Sequence, residues 1–129
     1  DYIGLITTEN QGAPVYEVVS EISKSLKALA RELNIPIVAL CQVSRDAEGS
    51  EPTLAQLRGS GSIEQDADIV MMLYREGYYK NDKQNAEEVD MSQADVDVAK
   101  NRHGPTERIK LHWDGQFTLF STLEYRDEY

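Results

Sequence analysis

Apolar residues return at three- and four-residue steps between Val15 and Leu33, through Val18, Val19, Ile22, Leu26, Leu29 and Leu33. This spacing predicts a helix with one buried face. Gly12 and Pro14 stand at its start, where proline's missing N–H is harmless, and Asn34 followed by Pro36 signals its end. Pro36 to Cys41 then reads Pro-Ile-Val-Ala-Leu-Cys, a short continuous apolar run that suits a strand covered on both faces. A helical-looking stretch from Thr53 to Asp68 separates it from a second such run, Ile69 to Tyr74. Helices alternating with buried strands predict an α/β fold built on a mostly parallel sheet flanked by helices.

The second half changes period. Asp95–Lys100 and Arg108–Trp113 alternate polar and apolar residues, as half-buried strands do. In Asp95–Lys100 the even-numbered positions place Lys100, and beyond it Arg102, on the side of Val96 and Val98. Asp114-Gly115 lies between Arg108–Trp113 and Gln116–Ser121 and predicts a two-residue turn closing a C-terminal antiparallel hairpin. Tyr78 to Ala94 is polar and acidic and reads as a surface excursion. The chain contains no internal repeat.

At 129 residues, with 40% hydrophobic and 28% charged residues, the chain has the size and composition of a single folded domain. No apolar run approaches the roughly 18 residues that span a bilayer, so no membrane partner is expected. One cysteine, Cys41, excludes an intrachain disulfide and zinc clusters of paired cysteines, and a reducing cytoplasm suits it best. The 13 basic residues face 23 acidic ones, a net charge of −10, which argues against binding a polyanion over the whole surface. Any contact with nucleic acid must be local. The acid concentrates in Arg75–Asp97, with seven acids and three bases, and in Thr122–Tyr129, with three acids and one base. Because the chain opens on Asp1 instead of Met, further sequence is expected upstream.

Four places carry candidate chemistry. An Asp such as Asp1, at the carboxyl end of an apolar strand, can help hold magnesium, although most acids so placed are ordinary loop residues. Gln42 directly follows the run Ile37–Cys41, at the strand end where open α/β sheets bind ligands. It can sense a phosphate or simply cap a neighbouring backbone group. Arg58-Gly-Ser-Gly-Ser62 sets one cation in a run of small residues just before a short helix, Ile63–Asp66. Such backbone amides suit a phosphate, and equally a flexible connector with a helix cap. Lys100 and Arg102 end a strand beside the turn-forming His103-Gly104-Pro105, from where they can reach a neighbouring protomer's nucleotide or stay solvated. His103 and His112 have no partners at metal-ligand spacing, and nothing suggests a nucleophile triad.

Taken together, three ordered blocks resemble the carboxyl-terminal half of the RecA-like ATPase domain of DnaB-family replicative DNA helicases. They are Ser-Glu-Ile-Ser-Lys-Ser-Leu-Lys-Ala-Leu-Ala-Arg-Glu-Leu-Asn (20–34), Leu-Arg-Gly-Ser-Gly-Ser-Ile-Glu-Gln-Asp-Ala-Asp (57–68) and Lys-Asn-Arg-His-Gly-Pro (100–105). The resemblance spans nearly the whole chain and implies that residues 1–129 form a single partial domain with a P-loop NTPase fold. It implies that Asp1 is the Walker B aspartate that helps hold Mg²⁺, and that Gln42 couples the γ-phosphate of ATP to the DNA-binding loops. Arg58, Gly59 and Gly61 then fall in the loop that follows single-stranded DNA through a central channel, largely through backbone amides. Lys100 and Arg102 become the pair inserted from one subunit into the next subunit's ATP site, Arg102 as the arginine finger. Partners implied are single-stranded DNA, five further copies in a homo-hexamer, a primase and a helicase loader. Six loops converging on one axis also reconcile local DNA contact with an acidic exterior.

The sequence departs from the family pattern in three places. Gly59 stands where family members usually carry Glu, the Arg45–Arg58 connector is shorter and less basic, and the excursion before Asp95 is longer. The P-loop, its Lys and Ser/Thr, and the family's catalytic glutamate would all lie upstream of Asp1, so these 129 residues alone are not expected to hydrolyse ATP. The alternatives are a recombination or repair ATPase of the same superfamily and a non-catalytic DNA-binding or scaffold protein that kept this half of the fold.

Overall fold

The structure, a computed structural model, describes residues 2–8, 12–43, 51–57, 60–80 and 90–123. Asp1, Ser44, Arg45, Arg58 and Gly59 lie outside the described residues.

The first helix forms over the expected span, α1 at Val15–Leu33, entered from Pro14. Asn34 ends it in the left-handed conformation (φ 53, ψ 46), and the Ile35 amide reaches back to the Ala30 carbonyl at 3.1 Å. That reverse turn satisfies a carbonyl the helix leaves over. Val19, Ile22 and Ser23 are buried. Leu29 and Leu33, on the same predicted stripe, are exposed.

The helical stretch expected over Thr53–Asp68 is two pieces. A 3₁₀ turn at Leu54–Gln56 is closed by a capping box, in which the Thr53 amide donates to Gln56 Oε1 at 2.8 Å. The helix α2 then runs Ser60–Asp66, starting three residues before the Ile63 that the sequence suggested. Leu57, between the two pieces, is buried and makes an antiparallel bridge with Val43.

Four strands, β1 (Ile69–Tyr74), β2 (Gln93–Asn101), β3 (Arg108–Asp114) and β4 (Leu119–Thr122), form one sheet in that order, with a short helix α3 (Glu76–Lys80) after β1. The α/β class stands, but the expected mostly parallel sheet does not. Every ladder among the described residues is antiparallel. The physical reason lies in β1, whose continuous apolar run hides an alternation. Val70 and Met72 are buried, whereas Ile69, Met71 and Leu73 are more than half exposed. An apolar run alone does not tell a strand covered on two faces from one covered on a single face. The other run, Pro36–Cys41, forms no strand. Its Leu40 carbonyl accepts from the Ile3 amide at 2.8 Å, and Val38 is 81% exposed.

The register of β1 on β2 shifts between Val70 and Met71, where Lys100 stands opposite Val70 and Val98 opposite Met71. Ala99 is therefore the extra residue of a bulge. Directly opposed residues share a face, and consecutive residues of β1 do not. Lys100 thus lies on the face of buried Val70, across the sheet from Val96 and Val98, which corrects the even-number reading. That face covers the core cluster of Leu57, Val70 and Met72, with Cys41, Val43, Leu54, Ile63, Ala67 and Ala99 around it.

The C-terminal hairpin is present, but its loop has four residues, 115–118, because Asp114 pairs with Leu119. The Asp114 carboxylate accepts from the amides of Gln116 (2.9 Å) and Phe117 (3.3 Å). Thr118, not Gly115, takes the positive φ of 53. The side-chain turn displaces the two-residue turn expected of Asp-Gly. The polar excursion is also shorter than expected, since its first residues join α3 and Ala94 is fully buried in β2. Arg75 lies over the Trp113 ring, 4.0 Å from its centroid, fixing the start of α3 against the hairpin. No helix among the described residues is long and apolar enough to cross a membrane.

Candidate functional site

The bulge turns the end of β2 toward α2. Lys100 Nζ donates to the Glu64 carbonyl, and Arg102 Nη2 to the Gln65 carbonyl. Both acceptors lie in the last turn of α2, whose carbonyls lack helical partners and whose dipole favours cations. Arg102 is also joined to Asp68, its amide donating to the Asp68 carbonyl at 2.9 Å and its Nη1 to the Asp68 carboxylate at 3.4 Å. Lys27, from α1, forms a hydrogen-bonded ion pair with the same carboxylate. Asn101 closes the turn that follows, accepting from the His103 amide at 3.2 Å and donating to the Pro105 carbonyl at 3.1 Å.

The Lys27 hydrogen bond, aided by the charges of Lys27, Arg102 and His103, holds the Asp68 carboxyl below its ordinary range. Asp68 is therefore a carboxylate at neutral pH, shared between the two cations Lys27 and Arg102. The Arg102 side chain remains 40% exposed. An open cleft of about 390 Å³, lined by Lys27, Arg31, Asn34 and Asp68 among others, lies beside the cluster.

The other expected site residues are spread more widely. Gln42 is exposed, between Cys41 and Val43, which contact the core. Gly61 lies in the first turn of α2, and a Cβ built there meets nothing within 4 Å. Arg58 and Gly59, which would complete its loop, and Asp1 lie outside the described residues. The structure thus gathers Lys100 and Arg102 at one end of α2 and places Gly61 at the other, while Gln42 stands apart. Among the described residues no group of three His, Cys, Asp or Glu is arranged to hold a metal ion.

Lys27 and Asp68 carry no mark of a role in the sequence, although they lie inside the 20–34 and 57–68 blocks. Their contacts join positions 41 and 34 residues apart, and no local spacing announces such pairs. Glu51 is a further residue with no such mark. Its two carboxylate oxygens take a fork from Arg108 at 3.0 and 2.6 Å, tying the segment before α2 to β3.

Comparison with known proteins supplies the context for this arrangement. The family described as DnaB-like helicase C terminal domain matches residues 1–122. Replicative DNA helicase DnaB of Treponema pallidum is 50% identical over 120 residues, covering 93% of this chain and 25% of that protein. The Rickettsia typhi protein of the same name is 45% identical over 141 residues, covering 98% and 28%. Among solved structures, one described as an ATPase domain superposes with a TM-score of 0.82 at 35% identity, over 96% of this chain and 43% of that one. A DnaB-like replicative helicase, described with its interactions with primase, gives a TM-score of 0.83 at 35% identity, over 96% and 30%. The chain spans about a quarter of the length of these curated relatives. It belongs to the family of DnaB-like helicase C-terminal domains.

Proposed function

We propose that this chain is part of an ATP-dependent replicative DNA helicase that translocates on single-stranded DNA as a homo-hexamer, with ATP cleaved between subunits. The carrying observation is the pair Lys100 and Arg102 at the end of β2, both cationic heads gathered at one helix end and Arg102 still open to solvent. Residues 1–129 then form the carboxyl-terminal half of a RecA-like ATPase domain. They contain no Gly-rich Lys-Ser/Thr phosphate loop, so turnover belongs to the longer parent polypeptide.

The donor set fits a polyphosphate. Guanidinium and ammonium groups donate without accepting, and Arg102 has more N–H groups than its two intrachain contacts use. Bound ATP with Mg²⁺ supplies the phosphoanhydride bond whose hydrolysis drives the motor. Arg102, reaching into the neighbouring subunit, stabilises negative charge that grows on the transferred phosphoryl group, and Lys100 adds a second positive charge beside it. Gln42, exposed at the end of its segment, hydrogen-bonds a phosphate oxygen and passes its presence to the DNA loop. Asp1 is the residue assigned to magnesium, by the resemblance alone.

Arg58, Gly59 and Gly61 grip the DNA backbone. Support comes from Gly61, which neither a positive φ nor crowding within the chain requires. Glycine in a helix costs about 1 kcal/mol against alanine, and close approach by an outside group is a physical reason to keep it there. A primase is a proposed partner because one structural relative is described with it, and a helicase loader follows from the family resemblance. The site of action is the cytoplasm.

The test uses the intact parent polypeptide. Single-stranded DNA should stimulate its ATP hydrolysis, and it should displace a strand from a forked duplex. Arg102→Ala should lower kcat by about 10³-fold or more. Normal turnover by Arg102→Ala would remove ATP cleavage between subunits and leave a DNA-binding or scaffold role ahead.

A further inference from the structure

The contacts of Arg102 come from two sources that behave differently under mutation. Its backbone amide bonds the Asp68 carbonyl, a contact that does not depend on which side chain stands at 68. Its guanidinium depends on the Asp68 carboxylate and on the last turn of α2. The carboxylate is in turn shared with Lys27 of α1, so three separate elements meet at one side chain. The turn after β2 is closed by both side-chain atoms of Asn101, which fixes the backbone that carries Arg102. A long cationic side chain contributes to a transition state only when it is oriented beforehand, and fixed donors are worth more than mobile ones.

We propose that Asp68, anchored by Lys27, is the positioning residue for Arg102. The inference rests on the reading of Arg102 as a group acting in trans.

Its test is a double-mutant cycle in the intact parent protein. Asp68→Ala should lower the DNA-stimulated kcat about three- to fivefold, the size expected of a half-exposed ion pair, with KM for ATP unchanged. Asp68→Asn, which keeps the shape and removes the charge, should fall between Ala and wild type. Asp68→Ala combined with Arg102→Ala should be no slower than Arg102→Ala alone, because the carboxylate acts through that guanidinium. A readout without nucleotide accompanies it. Amide exchange over residues 101–106 and within α1 should stay as in wild type in Asp68→Ala, because the backbone contact of Arg102 and the Asn101 contacts do not depend on that carboxylate. If Arg102→Ala retains full turnover, the trans reading fails and Asp68 is not at issue. If Arg102→Ala is crippled but Asp68→Ala is not, or if the two losses multiply, the positioning inference fails alone. A uniform loss of protection in Asp68→Ala, with KM and kcat both impaired, would mark a merely structural role and overturn it.

Discussion

Glu51 and Arg108 face each other as a fork, with guanidinium nitrogens 3.0 and 2.6 Å from the two carboxylate oxygens. The hydrogen bond from Arg108, reinforced by its charge, holds the Glu51 carboxyl below its ordinary range. Asp68 is lowered chiefly by the hydrogen bond from Lys27, and Asp90 by hydrogen bonds from the Ser92 side chain and backbone.

Acid sensitivity follows from these three groups. Each carboxyl binds its proton less readily in the folded chain than in the unfolded one, so the unfolded state takes up protons first as the pH drops. The stability they contribute is complete above the ordinary carboxylate range. It disappears as the pH falls through their lowered values. Thermal melts should therefore be flat from neutral pH down to about 5 and decline below it. In Glu51→Gln that decline should shrink. Because all three groups are open to solvent, the slope should also weaken in high salt.

A contrast of neighbours tests the sheet. Met72, 4% exposed, packs with Leu57 and Val70, whereas Met71 is 60% exposed on the other face. In urea melts of the 129-residue chain, Met72→Ala should cost about 2–4 kcal/mol and Met71→Ala within about 0.5 kcal/mol. Equal losses would mean that β1 is covered on both faces.

That contrast also shows what the sequence could and could not reveal. The span of α1 was legible because one helix's period and its end signals are local, and β2 and β3 were legible because polar and apolar positions alternate. The direction of the C-terminal hairpin was legible as well, but that of β1 was not. Ile69–Tyr74 contains no polar residue before Tyr74 to mark its open face, so a half-exposed strand reads as a buried one. Pro36–Cys41, equally apolar, misled further, since it forms no strand. At the candidate site, Lys100 and Arg102 were legible as a pair, but the bulge at Ala99 that turns Lys100 onto α2 depends on pairing with β1. The partners that hold Arg102, Asp68 and Gln65, are brought to it only by that pairing. Asp1, Arg58 and Gly59 fall outside the described residues, so their roles stay with the sequence.

Gly61 separates stability from function. Gly61→Ala meets open space, and it should stabilise α2 by up to about 1 kcal/mol. In the intact protein the same change should weaken single-strand binding, read by fluorescence anisotropy, because the added Cβ holds the phosphate away. Arg58→Ala should weaken binding as well and reduce its salt dependence by about one counterion per contacting subunit. Unchanged binding across a salt titration in both variants would take the loop out of the DNA path.

The most direct measurement is subunit mixing in the intact parent protein, with single-strand-stimulated ATP hydrolysis as the readout. Arg102→Ala and a variant of the upstream phosphate-loop lysine should each be inactive alone. Mixed hexamers should regain part of the activity, because some interfaces then combine an intact phosphate loop with an intact Arg102 from the neighbour. Recovery on mixing is the predicted result. Full activity of Arg102→Ala by itself, or no recovery in demonstrably mixed hexamers, would contradict a site shared between subunits.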